Sequence, residues 1–229
     1  MSIAAQIAKD PVAFMTNNIL MMSAELNGLA VTGGVRPFSV VESKAMKAYK
    51  NGQPIKVYAL KKMTSGGDQL NAYWCPYEQN KAGTTVLSNR GPGLMFTAAM
   101  DGCTFGAGAR STDGAVRVAH VNMGAQAKPE WGGVQNQRRL QGNVIRGLLG
   151  TGKDTTVQDP NTYYTKTIPT GGLKIATTTF GVRTDKLWVF YSHSWYSASS
   201  MVADPDNVGQ QVKSHSLNWM CCELLTASL

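Results

Sequence analysis

The apolar positions along the chain change period several times. From residue 1 to about 31, Ile3, Ile7, Val12, Met15, Ile19, Met22 and Leu26 recur at three- to five-residue steps, the spacing of one buried helical face. Pro11 opens a second helical segment, since proline at the first helical position forfeits no internal hydrogen bond. Thr32-Gly33-Gly34 breaks the pattern, and residues 39 to 49 read as a further short helix ended by Asn51-Gly52. Beyond that point the alternation becomes that of strands: residues 55–60, 70–75, 84–87, 94–99, the segment around Cys103, and 115–121. The turn Ser111-Thr112-Asp113-Gly114 joins the last two as a hairpin. A helical period returns over 134–149, where Val134, Leu140, Val144, Ile145, Leu148 and Leu149 set Arg138, Arg139 and Arg146 toward solvent. Residues 150–172 read as loop, and strands resume at 173–180, 187–191 and 216–222.

Helices, then strands, one helix, then strands, without alternating crossovers, predict an α+β fold: a mostly antiparallel, strand-rich sandwich flanked by helices. Residues 1–50 are expected to form a helical N-terminal segment packed on the core, and 51–229 a single domain. A hydrophobic fraction of 43% supplies that core, and charged residues at 16% are too few for disorder driven by charge. Lys and Arg outnumber Asp and Glu 22 to 14, a formal charge of +8, spread thinly in short pairs such as Lys61-Lys62 and Arg138-Arg139. Such a surplus suits a soluble basic surface or attraction to an acidic partner. The first fourteen residues lack a charged stretch followed by an apolar core, and no apolar run is long enough to span a bilayer. A soluble chain, cytoplasmic as synthesised, is the expectation; export would rely on a signal not legible here.

Cysteines stand at 75, 103, 221 and 222, with no CxxC spacing and no Cys/His quartet, so reduced thiols are expected and no metal. The stretch that carries chemistry runs from Leu94 to Val121. Cys103 follows Gly102 at the end of one apolar segment, and His120 lies inside the next. A hairpin between them would bring thiol and imidazole together across the strands. A thiol beside an imidazole yields a thiolate nucleophile, and a glycine just before it lets the chain turn and aim N–H groups at a developing oxyanion.

Thr97, Cys103 and His120 form T-x5-C-x16-H with glycine before the cysteine. This resembles the active-site pattern of the Cys/His glutamine deamidase superfamily, which includes the catalytic domain of the cytotoxic necrotizing factors, the Burkholderia lethal factor and the chemoreceptor deamidase. The family's turn reads Leu-Ser-Gly-Cys or similar; here it reads Met100-Asp101-Gly102-Cys103, so Gly and Cys match while Asp101 places a carboxylate beside the thiol. The resemblance implies Cys103 as nucleophile, His120 as general base and then acid, Thr97 as the residue that orients His120, and Gly102 as the oxyanion turn. It implies a cysteine-dependent amidohydrolase that needs no cofactor. Its partner would be a target protein bearing a surface glutamine. Several members are toxins acting inside host cells, so an exported effector is implied. Transglutamination or proteolysis would share the first step.

Other patterns weigh less. Gly147-Leu-Leu-Gly-Thr-Gly152-Lys153 begins like a phosphate loop, but Asp154 stands where Ser or Thr should hold magnesium. His193 and His215 sit between serines and read as polar strand ends, with no Gly-x-Ser-x-Gly elbow. Trp188, Phe190, Tyr191, Trp195 and Tyr196 could stack on bases but alternate like strand core, so nucleic acid is not the expected partner. The rival reading is a non-catalytic basic binding module in which Cys103 and His120 are core.

Overall fold

The computed structural model describes residues 1–29, 33–63, 68–128, 133–152, 154–164, 174–185, 187–203 and 211–227. Two short helices begin the chain, α1 (Ile3–Lys9) and α2 (Pro11–Asn17). Ser2 and Asp10 cap them through their side chains, accepting from the N–H groups of Ala5 and Ala13. Helix stops at Asn17, because the Asn17 and Asn18 amides donate to the carbonyls of Ala13 and Phe14. The apolar run continues as strand β1 (Asn18–Met22), which pairs in parallel with Lys56–Leu60, and a 3₁₀ turn at Ala24–Gly28.

The helix expected over 39–49 is instead two strands, β2 (Gly34–Glu42) and β3 (Lys47–Lys50). Asn51-Gly52 is a hairpin turn, both residues at positive φ, and leads into β4 (Gln53–Lys62). The α-helical reading of residues 1–50 therefore holds only to Asn17; apart from the 3₁₀ turn at Ala24–Gly28, the later elements in this range are strands of the main sheet. Next come β5 (Gln69–Cys75), β6 (Ala82–Leu87), β7 (Leu94–Thr97), β8 (Thr104–Arg110) and β9 (Val116–Val121). They are followed by α3 (Gly133–Leu149), β10 (Thr156–Gln158), α4 (Pro160–Tyr164), β11 (Lys174–Thr184), β12 (Leu187–Ala203) and β13 (Gln211–Ala227). The expected loop at 150–172 thus contains a strand and a helical turn, its last part lying outside the described residues.

The nine-stranded sheet runs β1-β4-β2-β5-β7-β11-β12-β13-β3, and β3 also pairs with β4. That extra pairing closes the sheet into a barrel, so the strand-rich α+β fold with flanking helices stands while the sandwich does not. Alternation along a strand says which side chains share a face, and it cannot say that the first strands meet the last. Pairing is mostly antiparallel, with parallel pairs at β1–β4, β5–β7 and β13–β3.

A second sheet, β10-β8-β9-β6, lies against one face of the barrel. Phe105 and Val118 meet Tyr73, Met95, Trp188 and Phe190 there, and the Phe105 and Phe190 rings are 5.6 Å apart. Helix α3 covers the other face of the small sheet, Ile145 packing on Ala119 and Val121. Gly106 permits this approach: a Cβ there would stand 2.8 Å from the Ile145 and Leu149 side chains. The opposite barrel face gathers Phe38, Leu60, Trp74, Phe96 and Phe180 with Ile7, Phe14 and Met15 of α1 and α2. No helix among the described residues is long and apolar enough to cross a membrane.

Candidate functional site

Antiparallel pairing of β8 with β9 sets Phe105 opposite His120 and Thr104 opposite Val121. Continued one step, the register sets Cys103 opposite Asn122, and Cys103, Phe105, His120 and Asn122 share the face turned toward the barrel. Cys103 and His120 are diagonal neighbours, a relation that leaves Cα atoms about 7–8 Å apart and Cβ atoms somewhat closer. The side-chain bonds agree with this register: the Asn122 amide donates to the Cys103 sulfur at 3.2 Å.

Thr97 reaches the same place from the barrel, on β7. Its hydroxyl donates to the Cys75 carbonyl at 3.0 Å and lies 2.6 Å from His120 Nδ1. A hydroxyl has one proton. With that proton on Cys75, Thr97 Oγ1 must accept from Nδ1–H, which assigns the lone pair of the imidazole to Nε2. His120 Nε2 is buried and has no hydrogen-bond partner among the described residues. The structure thus brings Thr97 and His120 into contact and puts Cys103 beside them, without a hydrogen bond between sulfur and imidazole.

Three side-chain donors, two on α3 and one on α4, hold the backbone carbonyls of Gly102 and Cys103. Gln141 Nε2 donates to the Gly102 carbonyl at 2.9 Å and Gln137 Nε2 at 3.5 Å. Thr104 Oγ1 donates to Gln141 Oε1 at 2.9 Å, and the Tyr163 hydroxyl donates to the Cys103 carbonyl at 2.8 Å. Because the peptide is planar and trans, a Gly102 carbonyl pointing at α3 turns the Cys103 N–H away from α3. Gly102 itself has φ 155°, a conformation that L side chains rarely adopt.

Electrostatically the site is closed. Cys103 is 1% exposed and His120 0%. Burial pushes the Cys103 thiol up to about 11; the Asn122 hydrogen bond opposes this and the exposed Asp101 carboxylate adds to it. Burial alone lowers His120 to about 3. Tyr77 forms the outer wall, its ring edge-on to His120 with centroids 5.2 Å apart and its hydroxyl accepting from Asn122 at 3.4 Å. Cys75 is fully buried one strand away, pushed up to about 12 by burial.

The remaining sequence candidates lie elsewhere. Gly150, at φ 88°, ends α3 with its N–H on the Arg146 carbonyl, so a helix end accounts for the phosphate-loop glycines; Lys153 is outside the described residues. His193 and His215 are not at strand ends but within β12 and β13, His193 wholly buried and His215 exposed. Among the described residues no cluster of three or more His, Cys, Asp or Glu is placed to hold a metal.

Sequence reasoning missed Tyr77, Asn122, Gln137, Gln141 and Tyr163. The one legible signal was on α3, where Gln137 and Gln141 share a stripe with Ile145, an arrangement that buries polar groups and so requires partners for them. No family model matches this chain, and no curated protein matches it in sequence.

Proposed function

We propose that Cys103 and His120 are the reacting pair of a protein glutamine deamidase, a cysteine-dependent amidohydrolase acting on a surface glutamine of another protein. The observation that carries the reading is the Thr97–His120 hydrogen bond, which leaves the Nε2 lone pair bare on the face that also bears the thiol. His120 Nε2 takes the thiol proton, and the thiolate attacks the carboxamide carbon. The Cys103 N–H stabilises the oxyanion. The C–N bond breaks, ammonia leaves with the proton from His120, and a thioester remains. Water, deprotonated by His120, then releases glutamate and restores the thiol.

Chemistry requires an open form of the site. In the closed site burial holds the thiol, near 11, protonated and the imidazole, near 3, neutral, so the thiolate–imidazolium pair is disfavoured there. Water or substrate entering past Tyr77 and Asn122 would relieve burial at both groups and favour the pair. The latch between them is a single 3.4 Å hydrogen bond. The family resemblance of the Thr97–Cys103–His120 spacing adds to the reading and extends it to an effector modifying a host protein.

The 1% exposure of Cys103 favours the second reading, a basic binding module in which both residues are core. One experiment separates the two. The protein is incubated with candidate target extracts, and glutamine-to-glutamate conversion is sought by mass spectrometry, with Cys103→Ser and Cys75→Ser as controls. Deamidation lost only in Cys103→Ser supports the enzyme; a folded, fully active Cys103→Ser sinks it.

A further inference from the structure

The solvent side of α3 carries a second constellation. Arg138, Arg139 and Arg146 border one cleft of about 440 Å³ with Gly142, Asp159 and Asn161. Between Gly133 and Leu149 the helix has no Asp or Glu. The guanidinium hydrogen bonds found go to neutral amide oxygens: Arg138 Nη1 to Asn161 at 2.5 Å, Arg139 Nη2 to Asn136 at 2.7 Å, and Arg146 Nη2 to Asn143 at 2.6 Å. No ion pair to any of the three is found among the described residues; those present join Lys56 to Glu42 and Lys81 to Glu78.

Arg138 gives the more specific sign. Nη1 is occupied by Asn161, while Nε is buried and has no acceptor among the described residues. Arg138 thus keeps an unmet N–H donor, which an oxyanion seated in the cleft would satisfy once the guanidinium turns toward it. Among the described residues that line the cleft Asp159 is the one carboxylate, and its Oδ1 accepts the N–H groups of Asn161 and Thr162 at the start of α4. Three guanidinium charges against that one carboxylate leave a surplus of two, which matches a phosphate monoester at neutral pH, about −1.5 to −2. A lone carboxylate would leave the cleft half neutralised. An extended polyanion would meet Asp159 instead of a continuous basic stripe.

We propose that the cleft between α3 and α4 binds a phosphate dianion, free or carried on a phosphorylated side chain. The assignment is independent of whether Cys103 is catalytic. The test is an NMR titration of the isotope-labelled full chain with inorganic phosphate, with a phosphoserine peptide and its unphosphorylated counterpart, and with a single-stranded oligonucleotide. Expected are saturable shifts of the α3 amides from Gln135 to Arg146 with phosphate. In Arg139→Gln/Arg146→Gln binding should weaken at least tenfold. It should remain within twofold in Lys61→Gln/Lys62→Gln, which removes the same charge elsewhere. All four residues are exposed, so each variant should keep the parent spectrum outside its own neighbourhood. A phosphopeptide binding more tightly than phosphate assigns the dianion to a protein; equal affinity assigns it to the free ion. Linear, non-saturating shifts, equal loss in both double variants, or tighter binding of the oligonucleotide than of either phosphate form would overturn the proposal.

Discussion

Lowering the pH from 7 to 5 should destabilise this protein far more than its exposed carboxylates alone would. Two histidines are wholly buried, His120 and His193, and burial lowers each to about 3. In the unfolded chain both take up a proton below about 6.5. Between those limits the unfolded state binds more protons than the folded state, so stability is full above about pH 6.5 and falls as the pH falls toward 3. At pH 5 each histidine lies 1.5 units below its unfolded value, a cost of about 2 kcal/mol, or roughly 4 kcal/mol for the pair. That is a large share of the roughly 5–15 kcal/mol by which a domain is stable. Asp68 and Asp113, whose carboxyls are held low by hydrogen bonds from Ser2 and Ser111, act in a lower window, below their ordinary value of 3.8. The measurement is urea denaturation at pH 7, 6 and 5 for the parent and His193→Phe. The His193 ring centroid lies 5.1 Å from that of Trp195, opposite Thr178, and neither of its ring nitrogens has a partner among the described residues. The variant should lose about half of the pH dependence. It should also be no less stable at pH 7, since two unpartnered polar atoms leave the interior. A parent stability flat from pH 7 to 5, or a dependence unchanged in His193→Phe, would refute the reasoning.

Three further outcomes follow from the site. Cys103→Ser should unfold within about 1 kcal/mol of the parent, the volume being nearly kept, and should lose glutamine deamidation altogether. Tyr77→Ala should speed alkylation of Cys103 by more than tenfold at a stability cost of about 1–3 kcal/mol, read by peptide mapping of the labelled thiol; equal labelling of Cys75 and Cys103 would count against the latch. Gln141→Leu strands the buried Thr104 hydroxyl and leaves the Gly102 carbonyl only the 3.5 Å bond from Gln137, and should cost about 1–3 kcal/mol in denaturant, most of it from the hydroxyl left without a partner.

Much of the central region was legible because its strands alternate cleanly and its turns carry Gly and Asn in the demanded places. The hairpin at Ser111 to Gly114 and the helix over 134–149 needed nothing beyond local pattern. Residues 39–49 were not legible for the same reason: Val40, Val41, Ala45, Met46 and Ala48 fit a helical spacing, yet Val40 and Ala48 are buried while Val41 and Met46 are exposed. What decides there is pairing: Ser39–Glu42 with Tyr58–Lys61 of β4, and Lys47–Lys50 with β4 across the hairpin and with β13 from far along the chain. Ile19, Leu20 and Met22 likewise prolong a helical stripe, and become strand only through parallel pairing with β4. At the site, the spacing of Thr97, Cys103 and His120 drew attention to residues that do lie together. Asn122 and Tyr77 had no local mark, since their role comes from a register and a stacking contact that only the folded chain supplies.

Barrel closure has a consequence for how the chain is made. The seam joins Ser216–Asn218 of β13 to Lys47–Tyr49 of β3, and β3 in turn to the start of β4. Until β13 has been made, then, β3 has only its hairpin neighbour, and β12 emerges with an open edge. Long-range pairing of this kind is slow to form and leaves unpaired strands exposed meanwhile. The C-terminal strand is the keystone, and ribosome-bound chains that stop short of residue 211 should stay sensitive to protease throughout the β-rich region and acquire resistance in one step once residue 227 has cleared the exit tunnel.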